Sequence, residues 1–268
     1  MIDYHVHTRL CNHATGAMAD YVRRAIALGF REICFLDHLT LQPAGKVQSM
    51  TPDQVPLYFQ AVQALKEQFS DVIDVKAGLE TDYDPAYIRA LEDIIQTYTF
   101  DVIGSSLHFL DGKNIVSRSS DWAHGKWEAD DLVARYLETL DNMLEYNYFD
   151  IVCHLDLMKK FGRVPNRSFE TQLDQILSKI QAKGLTVEVN TSGWDHPAGE
   201  AYPSGAILKK CCESGIAITL GSDAHRPEDV GRHYDRAIPM LVAAGCRFLA
   251  TFTKRSRIMI PLPPVPRQ

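Results

Sequence analysis

The sequence predicts an α/β fold in which seven βα units build a closed or distorted parallel barrel in a single domain. Three observations carry this expectation. Short, nearly continuous apolar runs alternate with longer helical patterns, a glycine often separates a helix end from the next strand, and ionisable residues gather where the strands end. Length does not decide the matter, because 268 residues suit one large barrel or two smaller domains.

The expected strands cover residues 2–7, 32–36, 73–79, 101–107, 151–154, 186–190 and 217–221. Each is an apolar run of the kind found in parallel strands buried on both faces. Helical patterns fill 19–28, 52–69, 85–98, 127–147, 168–183, 204–214 and 227–244. Thr51 before Pro52 and Asp84 before Pro85 read as N-caps followed by proline at the first helical position. Gly29, Gly184, Gly215 and Gly245 sit where a helix ends in a left-handed cap. With a last apolar segment at 247–253, the array suits a closed or distorted barrel better than an open, doubly wound sheet, which stays possible. No glycine-rich phosphate loop follows the first strand, which removes the main support for nucleotide cradling. The domain is expected to span 1–268 and to finish in an extended, proline-rich tail at about 255–268.

Composition narrows the function classes. The chain is 46% hydrophobic and 23% charged, with a formal net charge of -6. It has no dense basic face for nucleic acid, so a small substrate is expected. No stretch approaches the roughly 20 apolar residues that span a bilayer, so no membrane partner is expected. Met1-Ile2-Asp3-Tyr4-His5 lacks the basic and apolar regions of a signal peptide. The six cysteines form no C-x-x-C pair, and a reduced cytoplasmic setting is the simplest account. The sequence leaves the oligomeric state open.

The placement of the histidines is the most informative feature. His5 and His7 end the first strand, Asp37-His38 the second, Glu80 the third, His108 the fourth and His154 the fifth, while Asp223 and His225 follow the seventh. In a parallel βα barrel all these positions open onto the carboxyl-end face, where active sites are built. Alternate residues of a strand share a face, so His5 and His7 aim at one spot, as do Asp223 and His225 if the chain is still extended there. His13 is close enough in a loop to fold back over them. Imidazoles and carboxylates without cysteine favour zinc, iron or manganese over a thiolate-closed structural site. Nine such side chains are too many for one ion, so two or three divalent transition-metal ions are expected, with Glu80 as a bridge. Asp37 is expected to orient a ligand imidazole. His124, His196 and His233 read as surface or packing residues, and Cys11 as a small apolar filler.

The motifs Asp3-Tyr4-His5-Val6-His7-Thr8, Leu36-Asp37-His38, Gly78-Leu79-Glu80, Gly104-Ser105-Ser106-Leu107-His108, Cys153-His154 and Gly221-Ser222-Asp223-Ala224-His225 resemble, in order, those of the polymerase and histidinol phosphatase (PHP) phosphoesterases. The resemblance implies a distorted (β/α)7 TIM-like barrel with a trinuclear metal centre. It further implies one metal on His5, His7, Glu80 and Asp223, a second on Glu80, His108 and His154, and a third on His13, His38 and His225. Leu36 stands where the family often has threonine. Val187-Glu188-Val189-Asn190-Thr191-Ser192-Gly193, Tyr202-Pro203-Ser204 and the run from Asp223 to Gly231 resemble the histidinol-phosphatase branch. That branch implies hydrolysis of L-histidinol phosphate to L-histidinol and phosphate in histidine biosynthesis.

The expected chemistry is in-line attack on phosphorus by a hydroxide that bridges two metals and is held over Glu80, Asp223 and His225. Coordination lowers the pKa of water from about 15.7 towards 7. Candidate phosphate-binding cations are Arg163, Arg226, Lys159 and Arg118, all in segments that follow catalytic-face strands. The alternative substrates are nucleotides or other small phosphomonoesters. Two further alternatives are a metal-dependent amidohydrolase, which lacks the His13, His38, His225 set, and a non-catalytic module, whose mark would be missing ligands.

Overall fold

In the computed structural model, which describes residues 1–263, the chain alternates strands and helices around one parallel sheet. The strands are β1 (Ile2–Val6), β2 (Glu32–Leu39), β3 (Asp74–Asp82), β4 (Val102–Ser106), a small hairpin of β5 (Phe109–Leu110) and β6 (Lys113–Asn114), then β7 (Ile151–Val152), β8 (Thr186–Asn190) and β9 (Ala217–Gly221). Helices α1 (Met18–Ala27), α2 (Val55–Gln68), α3 (Ile88–Thr97), α4 (Ala129–Met143), α5 (Glu170–Ala182), α6 (Gly205–Glu213) and α7 (Tyr234–Ala243) separate and follow them. The main sheet runs β1-β2-β3-β4-β7-β8-β9, with every pair parallel. It is drawn towards closure where Val6 bridges Ala224, through His7 N donating to Ala224 O (2.9 Å) and Ala224 N donating to His5 O (3.2 Å). The fold is therefore the distorted seven-unit barrel rather than the open sheet.

The four glycines do what their positions predict. Each has positive φ, from 63° at Gly184 to 86° at Gly245. Each closes the same pair of bonds: Gly29 N to Ile26 O with Phe30 N to Ala25 O, and likewise at Gly184, Gly215 and Gly245. This double closure satisfies the last helical carbonyls and turns the chain towards the next strand. Thr51 caps as expected, its backbone N donating to the Gln54 side chain at 2.8 Å, although a short 3-10 turn precedes α2. Asp84 does not cap α3. Its carboxylate instead accepts from Ala86 N (2.9 Å), which makes a turn, and the helix starts at Ile88.

Strands β2 and β3 run three residues past their apolar cores. The ladder continues through Asp37↔Leu79, His38↔Glu80 and Leu39↔Thr81, so these polar residues lie on paired backbone and not in loops. Strand β7 is shorter than expected, because His154 has φ 27° and breaks the extended chain.

Part of the extended tail expected over 255–268 is a paired strand. Ser256–Pro261 forms β11, antiparallel to β10 (Phe248–Thr253), and 264–268 lie outside the described residues. The β10–β11 hairpin crosses the amino ends of the barrel strands. Lys254 N donates to Asp101 (3.2 Å), Arg255 pairs with Asp150, and Arg257 donates to Gly184 O (2.6 Å). Cys212 and Cys246 are joined (S–S 2.02 Å), which departs from the expected set of reduced thiols, and the other four cysteines are free and buried. Among the described residues, no helix is long and apolar enough to cross a membrane.

Candidate metal centre

Glu80 stands at the centre of the carboxyl-end face, 1% exposed, and its two oxygens face two groups of imidazoles. Oε2 lies 2.8 Å from His38 Nδ1, 3.4 Å from His5 Nε2 and 3.8 Å from His7 Nε2. Oε1 lies 2.7 Å from His154 Nε2 and 3.6 Å from His108 Nε2. This division follows from register: His38 pairs directly with Glu80 across the β2–β3 ladder, while β4 and β7 bring the other group from the far side.

A third group stands beside the first. His13 Nε2 and His225 Nε2 are 2.8 Å apart, and the His7 ring stacks on His225 with centroids 4.0 Å apart. The ligand atoms of His7, His38 and His225 lie within 4.8 Å of one another, as do those of His5, His7 and Glu80. Asp223 Oδ1 joins the groups, 3.0 Å from His7 Nε2 and 3.5 Å from His225 Nδ1. Asp223 is not extended, as the sequence reading allowed; its φ is 55°, and the turn itself brings Asp223 and His225 to one side. All nine residues singled out from the sequence therefore converge.

The electrostatics fit a cation at this place. Burial lowers the pKa of His7 to about 3, with His38 adding to the shift, and burial likewise lowers His13 and His225. These three rings are neutral near pH 7 and present lone pairs. His5, despite the lowering effect of burial, is raised well above its usual value by the Glu188 and Glu80 carboxylates, so a metal ion there would displace its proton. Burial alone would raise the carboxyls of Glu80 and Asp223, but the surrounding imidazoles hold both well below the usual range. His5 Nε2, Glu80 Oε2 and His154 Nδ1 are buried and make no hydrogen bond. The His5 and Glu80 atoms belong to one group of possible ligands with His7, and unsatisfied buried ligand atoms of this kind are what an ion would complete.

The supporting residues were only partly foreseen. Asp37 reaches His7 Nδ1 at 3.3 Å and is also bound by Thr8 and by His38 N (3.0 Å). Asp82 accepts from His108 N (2.9 Å) and lies 3.1 Å from His108 Nδ1. Asp3 binds Ser222, Gly231 N and His5 N, tying β1 to the loop that carries Asp223. Alternation along β8 was the available signal for Glu188 and Asn190, since Val187 and Val189 take the other face. Cys11, expected as a filler, is buried with its sulfur within 4.8 Å of the His13 and His225 nitrogens.

The cavity above the centre has a volume of about 340 Å³. Its cations are Lys160 and Arg232, not the four expected ones. Arg163 lies over the Trp122 ring at 5.0 Å, Arg226 pairs with Asp229 at 3.1 Å, and Lys159 pairs with Asp156 and Glu200 at 2.8 and 2.9 Å. Arg118 is exposed and does not line the wall. Among the described residues Lys160 makes no ion pair, whereas Arg232 pairs with Asp195 (3.3 Å) and donates to Ser222 O (2.7 Å) and Asp223 O (2.6 Å). Loops carry both, and strand alternation has no hold there. His196, expected to pack or face solvent, lines the cavity, while His233 bonds Asp195 at 2.7 Å away from the lining.

Comparison with known proteins agrees with this geometry. The model of the PHP domain matches residues 3–192. A protein of Deinococcus radiodurans named "Probable histidinol-phosphatase" is 31% identical, over 97% of this chain and 99% of its own. The histidinol-phosphatase of Lactococcus lactis is 28% identical, over 94% of each chain. A crystal structure of histidinol phosphate phosphatase from Lactococcus lactis, complexed with zinc, L-histidinol and phosphate, has the same fold: TM-score 0.84, 24% identity, 96% of this chain and 98% of that one. The chain belongs to the PHP family of metal-dependent phosphoesterases, in its histidinol-phosphatase branch.

Proposed function

We propose that this protein hydrolyses L-histidinol phosphate to L-histidinol and phosphate at a centre of two or three divalent transition-metal ions. The observation that carries the reading is the convergence of seven imidazoles and two ionised carboxylates about the buried Nε2 of His5 and Oε2 of Glu80, which have no hydrogen-bond partner among the described residues. The names of the relatives above support the substrate.

His5, His7, Glu80 and Asp223 would hold one ion, Glu80 with His108 and His154 a second, and His13, His38 and His225 a third. Zinc, iron or manganese suits these nitrogen and oxygen donors. When bound, such ions neutralise phosphate oxygens and bring the pKa of water close to 7. The chain's own residues do the rest. Lys160, which makes no ion pair among the described residues, offers an ammonium on the cavity wall, and the Arg232 guanidinium, held by the Ser222 and Asp223 carbonyls and by Asp195 at 3.3 Å, lines the same space. Together they meet the charge of a phosphoryl group. Asp37 and Asp82 hold the His7 and His108 rings in place. Phe109, Val116 and Leu157 give the cavity apolar walls that suit a small organic ester and exclude bulk water.

The deciding test is phosphate release from L-histidinol phosphate, nucleoside monophosphates and oligonucleotides under one condition. The proposal expects the highest kcat/KM for L-histidinol phosphate. Preferred turnover of a nucleotide would contradict it.

A further inference from the structure

The carboxylate of Glu188 is buried deeper than the cavity and lies outside all three ligand sets. Glu188 is 1% exposed, and among the described residues its only ionic partner is His5. Its Oε1 is 2.6 Å from His5 Nδ1, and its Oε2 accepts from His154 N at 2.9 Å. One side chain on β8 thus grips residues that stand 183 and 34 positions away, one in β1 and one just past the end of β7.

Each grip has a chemical consequence. With Nδ1–H donated to Glu188, the nitrogen that the His5 ring can offer an ion is Nε2, the atom that is buried without a hydrogen bond among the described residues and aimed at Glu80. Which nitrogen of a ligand histidine stays free is set by the bond the other one makes. At His154 the grip is on the backbone. That residue has φ 27°, a conformation an L residue does not hold without support, and its Nε2 ends 2.7 Å from Glu80 Oε1. Glu188 therefore sets one ligand on each side of the Glu80 bridge.

Strand β9 makes room for this arrangement. A Cβ at Gly221 would stand 2.3 Å from Glu188 Oε1 and 2.5 Å from His5 Cβ, so no side chain fits between the carboxylate and the strand. The amide nitrogen of Asn190 adds a longer contact to Oε2 at 3.4 Å.

We infer that Glu188 is a positioning residue that orients His5 and His154 together for metal binding. The inference rests on the metal-centre reading above. Its reach matters as much as its charge: Glu188→Gln keeps the length but has one acceptor oxygen for two donors, and Glu188→Asp keeps the charge but is one methylene shorter.

The test is the zinc Kd of each variant by chelator competition, with the melting temperature of the metal-free protein as a second readout. Both variants should bind zinc about 10–100-fold more weakly, the range for lost support of a ligand histidine. The metal-free melting temperature of Glu188→Gln should stay within about 4 °C of the wild type. A wild-type Kd in either variant would overturn the inference. So would a fall in metal affinity matched by a large fall in metal-free melting, which marks a merely structural role. A wild-type chain that takes up no zinc would instead overturn the metal-centre reading beneath it.

Discussion

His13 and His225 are 212 residues apart in sequence, yet their Nε2 atoms face each other at 2.8 Å. His13 Nδ1 is bound to Cys11 O (2.7 Å) and His225 Nδ1 lies 3.1 Å from Asp223 O, so each ring turns its other nitrogen to the shared point. His225→Ala is expected to lose one metal equivalent while the ions around Glu80 remain. Turnover should fall on the order of 100-fold, the scale of losing one charge-stabilising group. Metal analysis beside steady-state kinetics checks this; unchanged metal content would contradict it.

Lys160 and Arg232 line the cavity, whereas Arg163 and Arg226 are occupied elsewhere. Lys160→Ala should cost about 1.5–3 kcal/mol in kcat/KM, the range for a hydrogen bond to a charged group. Bound metal should be unchanged, and Arg226→Ala should be nearly silent. Equal losses in the two variants would show that the cavity lining does not choose the phosphate partner.

Gly78 and Gly104 keep the barrel interior thin beneath the centre. A Cβ at Gly78 would meet Leu36 Cδ1 at 2.7 Å and Val102 O at 2.9 Å, and one at Gly104 would meet Cys153 Sγ at 2.5 Å. The Val102 oxygen is backbone and cannot rotate away. Gly78→Ala should therefore destabilise the fold by about 1–3 kcal/mol through overpacking, read from chemical denaturation. Wild-type stability would mean that β3 and β4 separate more easily than their ladder implies.

The hairpin at the far end predicts the opposite pattern. Arg255 pairs with Asp150 and donates to Tyr148 O at 2.9 Å, while burial raises the Asp150 carboxyl despite that arginine. Arg255→Ala leaves a half-buried carboxylate short of a partner and should cost about 1–3 kcal/mol of stability. Metal content and KM should not change, because the site lies at the other end of every strand. A change in KM would tie the hairpin to the centre.

The convergence of the nine candidate ligands was legible because each terminates or follows a barrel strand, and strand order alone then makes them neighbours. The glycine caps were legible for a similar reason: left-handed φ is a local demand with a local residue signature. Legibility failed where polar residues continued a ladder, as at Asp37–Leu39, because apolar patterning ended before the hydrogen bonds did. It also failed in the loops. Nothing local tells Lys160 to face the cavity and its neighbour Lys159 to turn towards Asp156. The β10–β11 hairpin was missed because its turn is Lys254-Arg255, both at positive φ, without the usual asparagine or glycine.

The most direct test of the account is turnover of L-histidinol phosphate by metal-stripped protein before and after metal is returned. The account predicts no phosphate release from the stripped chain, recovery with zinc, manganese or iron, and no recovery in a His5→Ala/His7→Ala variant. Full activity of the stripped protein, or of that variant, would contradict it.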